Sequence, residues 1–76
     1  MVEPVPSVAV VRVTANGNPV ELEGEPTVDD LLRALSLGRR WVVVERNGEP
    51  VPRGAFSSTV LAEGDRLELV RAVAGG

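Results

Sequence analysis

The chain contains no cysteine and no histidine, and its eight basic residues are all arginines, so it has no lysine. Without cysteine and histidine it lacks thiolate nucleophiles, disulfides, the usual zinc ligands and the side chain that most often transfers protons near neutral pH. Without lysine it has no amine for Schiff-base chemistry or for attachment of another chain. A small enzyme that acts through Asp, Glu, Ser or Arg is the remaining catalytic hypothesis, and no nucleophile with a partnered base supports it.

The size and the charge of the chain further limit the kinds of protein it can be. The 76 residues form a single domain, because chains divide into separate domains only at several times this length. A formal net charge of -3 argues against a protein that binds nucleic acid phosphates and favours a basic protein partner or none. We therefore predict that it does not bind nucleic acid. Its composition, 43% hydrophobic and 25% charged, is that of an ordinary globular domain and indicates no membrane binding, and we expect a monomer. The absence of cysteine fits a cytoplasmic protein.

Two Asn-Gly pairs predict two hairpins. Asn16-Gly17 and Asn47-Gly48 each follow an apolar, strand-like run, and both residue types tolerate the positive φ of a two-residue reversal. The predicted strands are residues 8–15, 19–23, 41–46, 49–51 and 66–71. Their inward side chains are expected to be Val11, Val13, Ala15, Val20, Leu22, Leu67 and Leu69.

One amphipathic helix lies between the hairpins. Thr27 is its predicted N-cap, with Asp30 three residues later and Asp29 also in the first turn, where the helix dipole favours anions. Gly38 predicts the end of the helix just after Leu37. The apolar face, at helical spacing, consists of Val28, Leu31, Leu32 and Leu35.

The order of these elements predicts an α+β fold of the β-grasp type, a mixed sheet of about five strands packed on one helix. The first and last strands pair at the centre and each hairpin lies outside them, which buries all the apolar stripes together. Phe56 fills the core from a single helical turn within residues 53–59. Residues 1–7, with prolines at 4 and 6, are expected to be a loose leader, residues 8–71 the domain and residues 72–76 a flexible tail.

The tail is the most unusual feature of the chain. The six residues from Arg71 to Gly76 span roughly 20 Å when extended at about 3.3–3.6 Å per residue. Because glycine has no Cβ, Gly75 and Gly76 present bare backbone that fits a narrow catalytic site of a partner. The α-carboxyl of Gly76 is then the reacting group. A carboxylate becomes reactive when ATP converts it to an acyl adenylate, and a partner enzyme can catalyse that step without any catalytic side chain from this chain. The alternative is a frayed terminus without a role.

Four segments carry a resemblance to a known family: Thr27-Val28-Asp29-Asp30-Leu31-Leu32, Asn47-Gly48-Glu49-Pro50-Val51-Pro52-Arg53, Gly64-Asp65, and Ala72-Val73-Ala74-Gly75-Gly76. Over about residues 11–76 the chain resembles the ThiS family, the sulfur carriers of thiamine biosynthesis. A longer leader and Phe56 in place of a frequent tryptophan depart from the family pattern. Small subunits of molybdopterin synthase share the fold and the Gly-Gly end, but they typically carry prolines where this chain has Arg71-Ala72.

The resemblance implies a protein co-substrate and not an enzyme. An E1-like enzyme, using ATP and magnesium, adenylates Gly76. A cysteine desulfurase or another donor then supplies sulfur to give a thiocarboxylate, and thiazole synthase consumes that sulfur. The chain itself is expected to bind no cofactor and no metal. By the same resemblance, Gly75 is the required neighbour of Gly76. The tail residues that would be threaded into the partners are Arg71, Ala72, Val73 and Ala74.

Other residues receive structural interpretations beside functional ones. Val10, Val43 and Val70 are predicted to point outward and to form an apolar docking patch next to the tail. Asp29 and Asp30 are interpreted as first-turn stabilisers, Arg39-Arg40 as a solvated turn after the helix, and Trp41 as a rim or core residue. A ubiquitin-like interaction module that docks through its sheet without sulfur chemistry is the competing function.

Overall fold

A computed structural model of the protein describes residues 9–71. The predicted leader 1–7 and the predicted tail 72–76 lie outside these residues. The strands are β1 (Val10–Ala15), β2 (Asn18–Glu23), β3 (Val42–Arg46), β4 (Glu49–Val51) and β5 (Arg66–Arg71), and the helix is α1 (Val28–Ala34). Short 3₁₀ turns occupy Arg39–Trp41 and Arg53–Ala55.

The sheet has the strand order β2-β1-β5-β3-β4. The strands β1 and β5 run parallel at the centre, β2 pairs antiparallel with β1, and β3 pairs antiparallel with both β4 and β5. The β-grasp prediction is therefore confirmed. Both reversals form at the predicted Asn-Gly pairs, with φ of 51° at Asn16 and 52° at Asn47, a left-handed conformation that asparagine and glycine tolerate better than other residues.

One apolar core joins the helix to the inner face of the sheet. Phe56, which directly follows the second 3₁₀ turn, is only 1% exposed, as the sequence predicts. Among the predicted inward residues, Val11 and Val20 are half-buried at the edge of this core. The buried apolar residues of this core are Val13, Ala15, Leu22, Val28, Leu31, Leu32, Val42, Val44, Phe56, Leu61, Leu67 and Leu69.

The start of α1 agrees with the prediction. The Thr27 side chain accepts a hydrogen bond from the Asp30 N–H at 3.2 Å, and the Asp30 carboxylate accepts one from the Thr27 N–H at 2.9 Å. This reciprocal capping box satisfies donors that an isolated helix leaves unpaired. The bond from the Thr27 N–H is the main cause that holds the pKa of Asp30 below its ordinary value.

The predicted end of α1 at Gly38 is wrong. The helix ends at Ala34, the cap is Leu35, and Ser36 takes the left-handed conformation with φ of 58°. The Leu37 N–H then donates to the Leu32 carbonyl at 2.8 Å and closes the last turn. Gly38 instead has an extended backbone and begins the 3₁₀ turn Arg39–Trp41, so β3 begins at Val42 and not at Trp41. A serine supplied the reversal for which glycine is the usual residue.

Candidate functional site

The strand β5 leads directly to the reactive end that the sequence predicts. It ends at Arg71, which lies opposite Val42 of β3 at one end of the sheet. The predicted reacting residue and its neighbours lie outside the described residues, so their roles stay predictions: Ala72, Val73, Ala74, Gly75 and Gly76. The site can therefore be built from the residues that hold β5 and from the surfaces next to Arg71.

A charged network holds the beginning of β5. The Asp65 carboxylate accepts hydrogen bonds from the Arg46 guanidinium at 2.8 Å, from the Ala62 N–H at 2.8 Å and from the Asn47 carboxamide at 3.0 Å. The Asn47 side chain also accepts from the Arg66 N–H at 2.9 Å. Burial acts to raise the pKa of Asp65, but these three hydrogen bonds outweigh it and hold the pKa below its ordinary value.

A single asparagine holds the middle of β5. Backbone pairing between β1 and β5 stops at Ala15 and Leu67. Beyond that point the Asn16 carboxamide accepts a hydrogen bond from the Leu69 N–H at 2.8 Å and donates one to the Leu69 carbonyl at 3.0 Å. The side-chain amide thus makes the two hydrogen bonds that a further backbone peptide of β1 would make. This contact fixes β5 two residues before Arg71.

The end of β5 carries an exposed apolar pair on the outer face of the sheet. Val43 and Val70 lie directly opposite each other and are 49% and 61% exposed. Next to them Glu45 and Glu68 also lie directly opposite each other, and both are exposed. Like charges in this position destabilise a sheet. This acidic and apolar surface fits the basic partner that the net charge predicts.

The third residue of the predicted docking patch does not join the other two. Val10 is exposed on the outer face, as predicted, but it pairs with Glu23 at the far end of the sheet. The parallel register places Thr14 opposite Arg66, so eight residues separate Val10 from the level of Val70, about 26 Å at 3.3 Å per residue. The prediction that Val10, Val43 and Val70 form one docking patch is therefore wrong. The sequence shows which face a residue occupies and does not show the offset between parallel strands.

An open groove lies beside Arg71 on the other side of the strand. It has a volume of about 320 Å³, and its lining residues are Ser36, Leu37, Gly38, Trp41, Val42 and Arg71. Trp41, predicted as a rim or core residue, is 55% exposed and is the only tryptophan in the chain. The core interpretation of this residue is wrong. Because the 3₁₀ turn places Trp41 before β3 begins, its indole lies outside the core.

The paired carboxylates and the arginine turn have structural partners. Asp30 belongs to the capping box, and Asp29 lies 3.7 Å from the Arg39 guanidinium. Arg39 donates to the Arg53 carbonyl at 3.0 Å and lies 5.9 Å from the centre of the Phe56 ring. The first-turn interpretation of both aspartates is confirmed. Arg39 therefore contacts the first turn of α1 and the backbone of Arg53.

Neither a metal centre nor a membrane span is found in residues 9–71. No three acidic side chains of this part of the chain are grouped so that they could hold a metal ion. Its helices are too short and too polar to cross a bilayer.

Comparison with known proteins connects this geometry to a family. The profile of the ThiS family matches residues 13–76. The sulfur carrier protein ThiS of Bacillus subtilis is 34% identical over 62 residues, which are 80% of this chain and 94% of that protein. Two proteins named thiazole synthase, from Magnetococcus marinus and Paramagnetospirillum magneticum, are 36% and 35% identical over 66 residues. The chain spans about a fifth of the length of these two, the first curated relatives it matches.

Solved structures agree with the sequence comparisons. The crystal structure of the thiamine biosynthesis protein ThiS from Geobacter metallireducens matches with a TM-score of 0.72 and 36% identity. The match covers 87% of this chain and 100% of that one. The solution structure of a thiamine biosynthesis protein from the same organism matches with a TM-score of 0.68.

Proposed function

The chain belongs to the ThiS family, and from that membership we propose that it acts as a sulfur carrier protein in thiamine biosynthesis. The observation that carries this proposal is the extent of the family match, which runs through Gly75 and Gly76. The named sulfur carrier of Bacillus subtilis matches over nearly its whole length. In this role the chain is a small carrier that other proteins act upon, and not a catalyst.

The proposed chemistry takes place at the α-carboxyl of Gly76. A carboxylate oxygen attacks the α-phosphorus of ATP, pyrophosphate leaves, and an acyl adenylate forms. Sulfide then attacks the carbonyl carbon and displaces AMP, which leaves a thiocarboxylate; a persulfide donor would first give an acyl disulfide, which a thiol reduces to the same product. An E1-like adenylating enzyme supplies the nucleotide site and the magnesium, so this chain needs to bind neither.

The described domain suits the role of a handle for such a tail. The Asp65 network and the Asn16 carboxamide hold β5 along its length. β5 ends at Arg71, with an exposed surface on each side. Because β5 is held in one position, a partner that binds these surfaces has Arg71, the residue from which the segment to Gly76 begins, at a fixed place.

Thiazole synthase is the proposed acceptor of the sulfur. The two relatives with that name match this chain over a fifth of their own length. A segment similar to this carrier therefore occurs within longer chains that bear the name of the proposed partner. A cysteine desulfurase or another sulfur donor completes the proposed cycle.

Mass spectrometry of the intact protein tests this function. The chain is incubated with ATP, magnesium, an E1-like adenylating enzyme and sulfide, which can displace AMP directly. We expect the mass to rise by the difference between one sulfur and one oxygen atom, and tandem fragmentation to place the change at Gly76. A competent enzyme that leaves the mass unchanged would count against the proposal.

A truncated variant separates the carrier from an interaction module. Deleting Gly75 and Gly76 removes the reacting group and leaves the described domain intact. A carrier loses all thiocarboxylate formation, whereas a module that docks through its sheet keeps its binding. Circular dichroism of the variant checks that the fold is retained.

A further inference from the structure

We propose that the groove beside Arg71 binds an acidic segment of the enzyme that acts on the tail, with one apolar side chain of that segment seated against Trp41. This inference depends on the proposed carrier function, since it assigns a partner surface to the same site. The groove is the surface lined by Ser36, Leu37, Gly38, Trp41, Val42 and Arg71.

The groove has the residue types that anchor protein interfaces. Trp41 is exposed over about half of its surface, although tryptophan is usually well buried. Its backbone N–H donates to the Gly38 carbonyl at 3.2 Å, and its indole passes close to Gly38. Tryptophan and arginine are the side chains most often found at the energetic centre of an interface, and the groove pairs Trp41 with Arg71. The groove is open to solvent, and its volume of about 320 Å³ is enough for one large apolar side chain.

The charges around the groove select an acidic occupant. Among residues 9–71, the lining includes the cation Arg71 and contains no acidic residue. No carboxylate of these residues lies within 4.0 Å of the Arg71 guanidinium, a property that it shares with Arg40, Arg53 and Arg66, whereas Arg12, Arg33, Arg39 and Arg46 have such a partner. What distinguishes Arg71 is its position, because it places a cation without such a partner among these residues in the same groove as the exposed Trp41.

The remainder of the surface orients such a partner. On the opposite face of the same strand end, Glu45 and Glu68 lie side by side. The chain as a whole has a net charge of -3, so an acidic segment is repelled by most of the molecule and attracted to the groove. This polarity favours one docking orientation and suppresses others.

The position of the groove gives the docking a function. Arg71 both lines the groove and begins the segment that ends at Gly76. A partner bound at the groove therefore has the α-carboxyl within roughly 20 Å, the extended length of six residues. Binding at the root of the tail raises the effective concentration of Gly76 at the partner's catalytic site without any contact to the reacting group.

Steady-state kinetics with the adenylating enzyme test the groove. The variants are Trp41→Ala and Arg71→Glu, and the matched controls are Val60→Ala, another exposed apolar residue, and Arg66→Glu, the same charge reversal at the other end of β5. We expect the KM for the carrier to rise about tenfold or more in both groove variants and to change less than about twofold in the controls. The Arg71→Glu defect should shrink as salt increases, because salt screens the repulsion.

These measurements distinguish the failure of the groove from the failure of the carrier function. If the wild-type chain is never converted to the thiocarboxylate, the proposed function fails. If the wild type is converted and both groove variants keep the wild-type KM, the groove inference is overturned and the carrier function stands. A rise in KM that is equally large for Arg66→Glu would also overturn it, since net charge alone would then explain the effect.

The only tryptophan of the chain permits a direct observation of occupancy. Protein labelled with 5-fluorotryptophan gives a single ¹⁹F resonance, from Trp41. We expect this resonance to shift on addition of the adenylating enzyme and to stay unchanged when residues 74–76 are deleted from the free protein, a deletion that keeps the new α-carboxylate away from Arg71. A shift caused by that deletion alone would assign the groove to the chain's own tail, and a shift with protein concentration would assign it to a second copy. Either result overturns the proposal.

Discussion

The two ends of β5 are built in opposite ways. At its beginning, the Asp65 carboxylate is 9% exposed and has three hydrogen-bond donors around it. At its end, Val70 is 61% exposed and Trp41 is 55% exposed. Arg46 has an ion-pair partner near the first end, whereas Arg71, at the second end, has none among residues 9–71.

This difference separates stability from recognition along a single strand. Polar groups that are buried and fully bonded hold a segment in one position, and they leave little for a partner to contact. Exposed apolar and charged groups contribute little to folding, and they are the groups from which interfaces are made. The strand is thus held at its beginning and presented at its end. Substitutions at the two ends should therefore have different effects.

The largest expected effect is on stability at the beginning of β5. Asp65→Asn replaces an acceptor for three donors by a carboxamide whose NH₂ group faces some of those donors. We expect the free energy of unfolding to fall by about 2–3 kcal/mol, measured by chemical denaturation. Glu68→Gln is the same chemical change at an exposed position of β5. It should be neutral or slightly stabilising, because it removes the repulsion from Glu45.

Acid should weaken the same end of the strand. The folded-state pKa of Asp65 lies below its ordinary value, so its contribution is fully present above the unfolded pKa of about 3.9 and is lost as pH falls through the folded value. Denaturation measured from pH 7 down to pH 3 should show a smaller loss for Asp65→Asn than for the wild type. Asp30, whose pKa is also lowered, should account for part of the remaining slope. Equal slopes in the two proteins would contradict the assignment to Asp65.

The middle of the strand should show an intermediate effect. Asn16→Gly keeps the positive φ of the turn and removes the two hydrogen bonds to Leu69. We expect a loss of about 1–2 kcal/mol and faster hydrogen exchange at the Leu69 amide. Asn16→Ala should lose about 1 kcal/mol more, because alanine is strained at positive φ. Unchanged exchange at Leu69 in Asn16→Gly would show that the carboxamide does not hold the strand.

The sequence predicted those features that depend on neighbouring residues. The strands, both Asn-Gly turns, the Thr27 capping box and the burial of Phe56 follow from period, turn chemistry and capping. The predicted end of the helix was wrong because Ser36 adopts the left-handed conformation two residues before Gly38. The core alternative for Trp41 and the predicted start of β3 at this residue were wrong for a related reason, since a 3₁₀ turn follows the early helix end and precedes β3.

The pairing of the first and last strands was predicted, but its register and the side-chain bonds across it were not accessible in this way. Asn16 and Leu69 are 53 positions apart, and Asn47 and Asp65 are 18 apart. The Asn-Gly pairs therefore predicted the two turns, but they did not predict the hydrogen bonds that the asparagine side chains make to distant residues. The division of the docking patch has the same origin, because it depends on the register between β1 and β5. The supports of β5 therefore became visible only in the fold, although the tail that it carries was conspicuous in the sequence.

The smallest effect on stability is expected at the end of β5. Arg71→Glu alters an exposed side chain without an ion-pair partner among residues 9–71, and the free energy of unfolding should change by less than about 0.5 kcal/mol. The same denaturation measurement on Arg46→Glu, which places a carboxylate beside Asp65, should show a loss several times larger. If Arg71→Glu proved as destabilising as Arg46→Glu, the end of the strand would be a structural element like its beginning. An unchanged stability together with an impaired KM would instead show that the two ends of one strand serve folding and recognition separately.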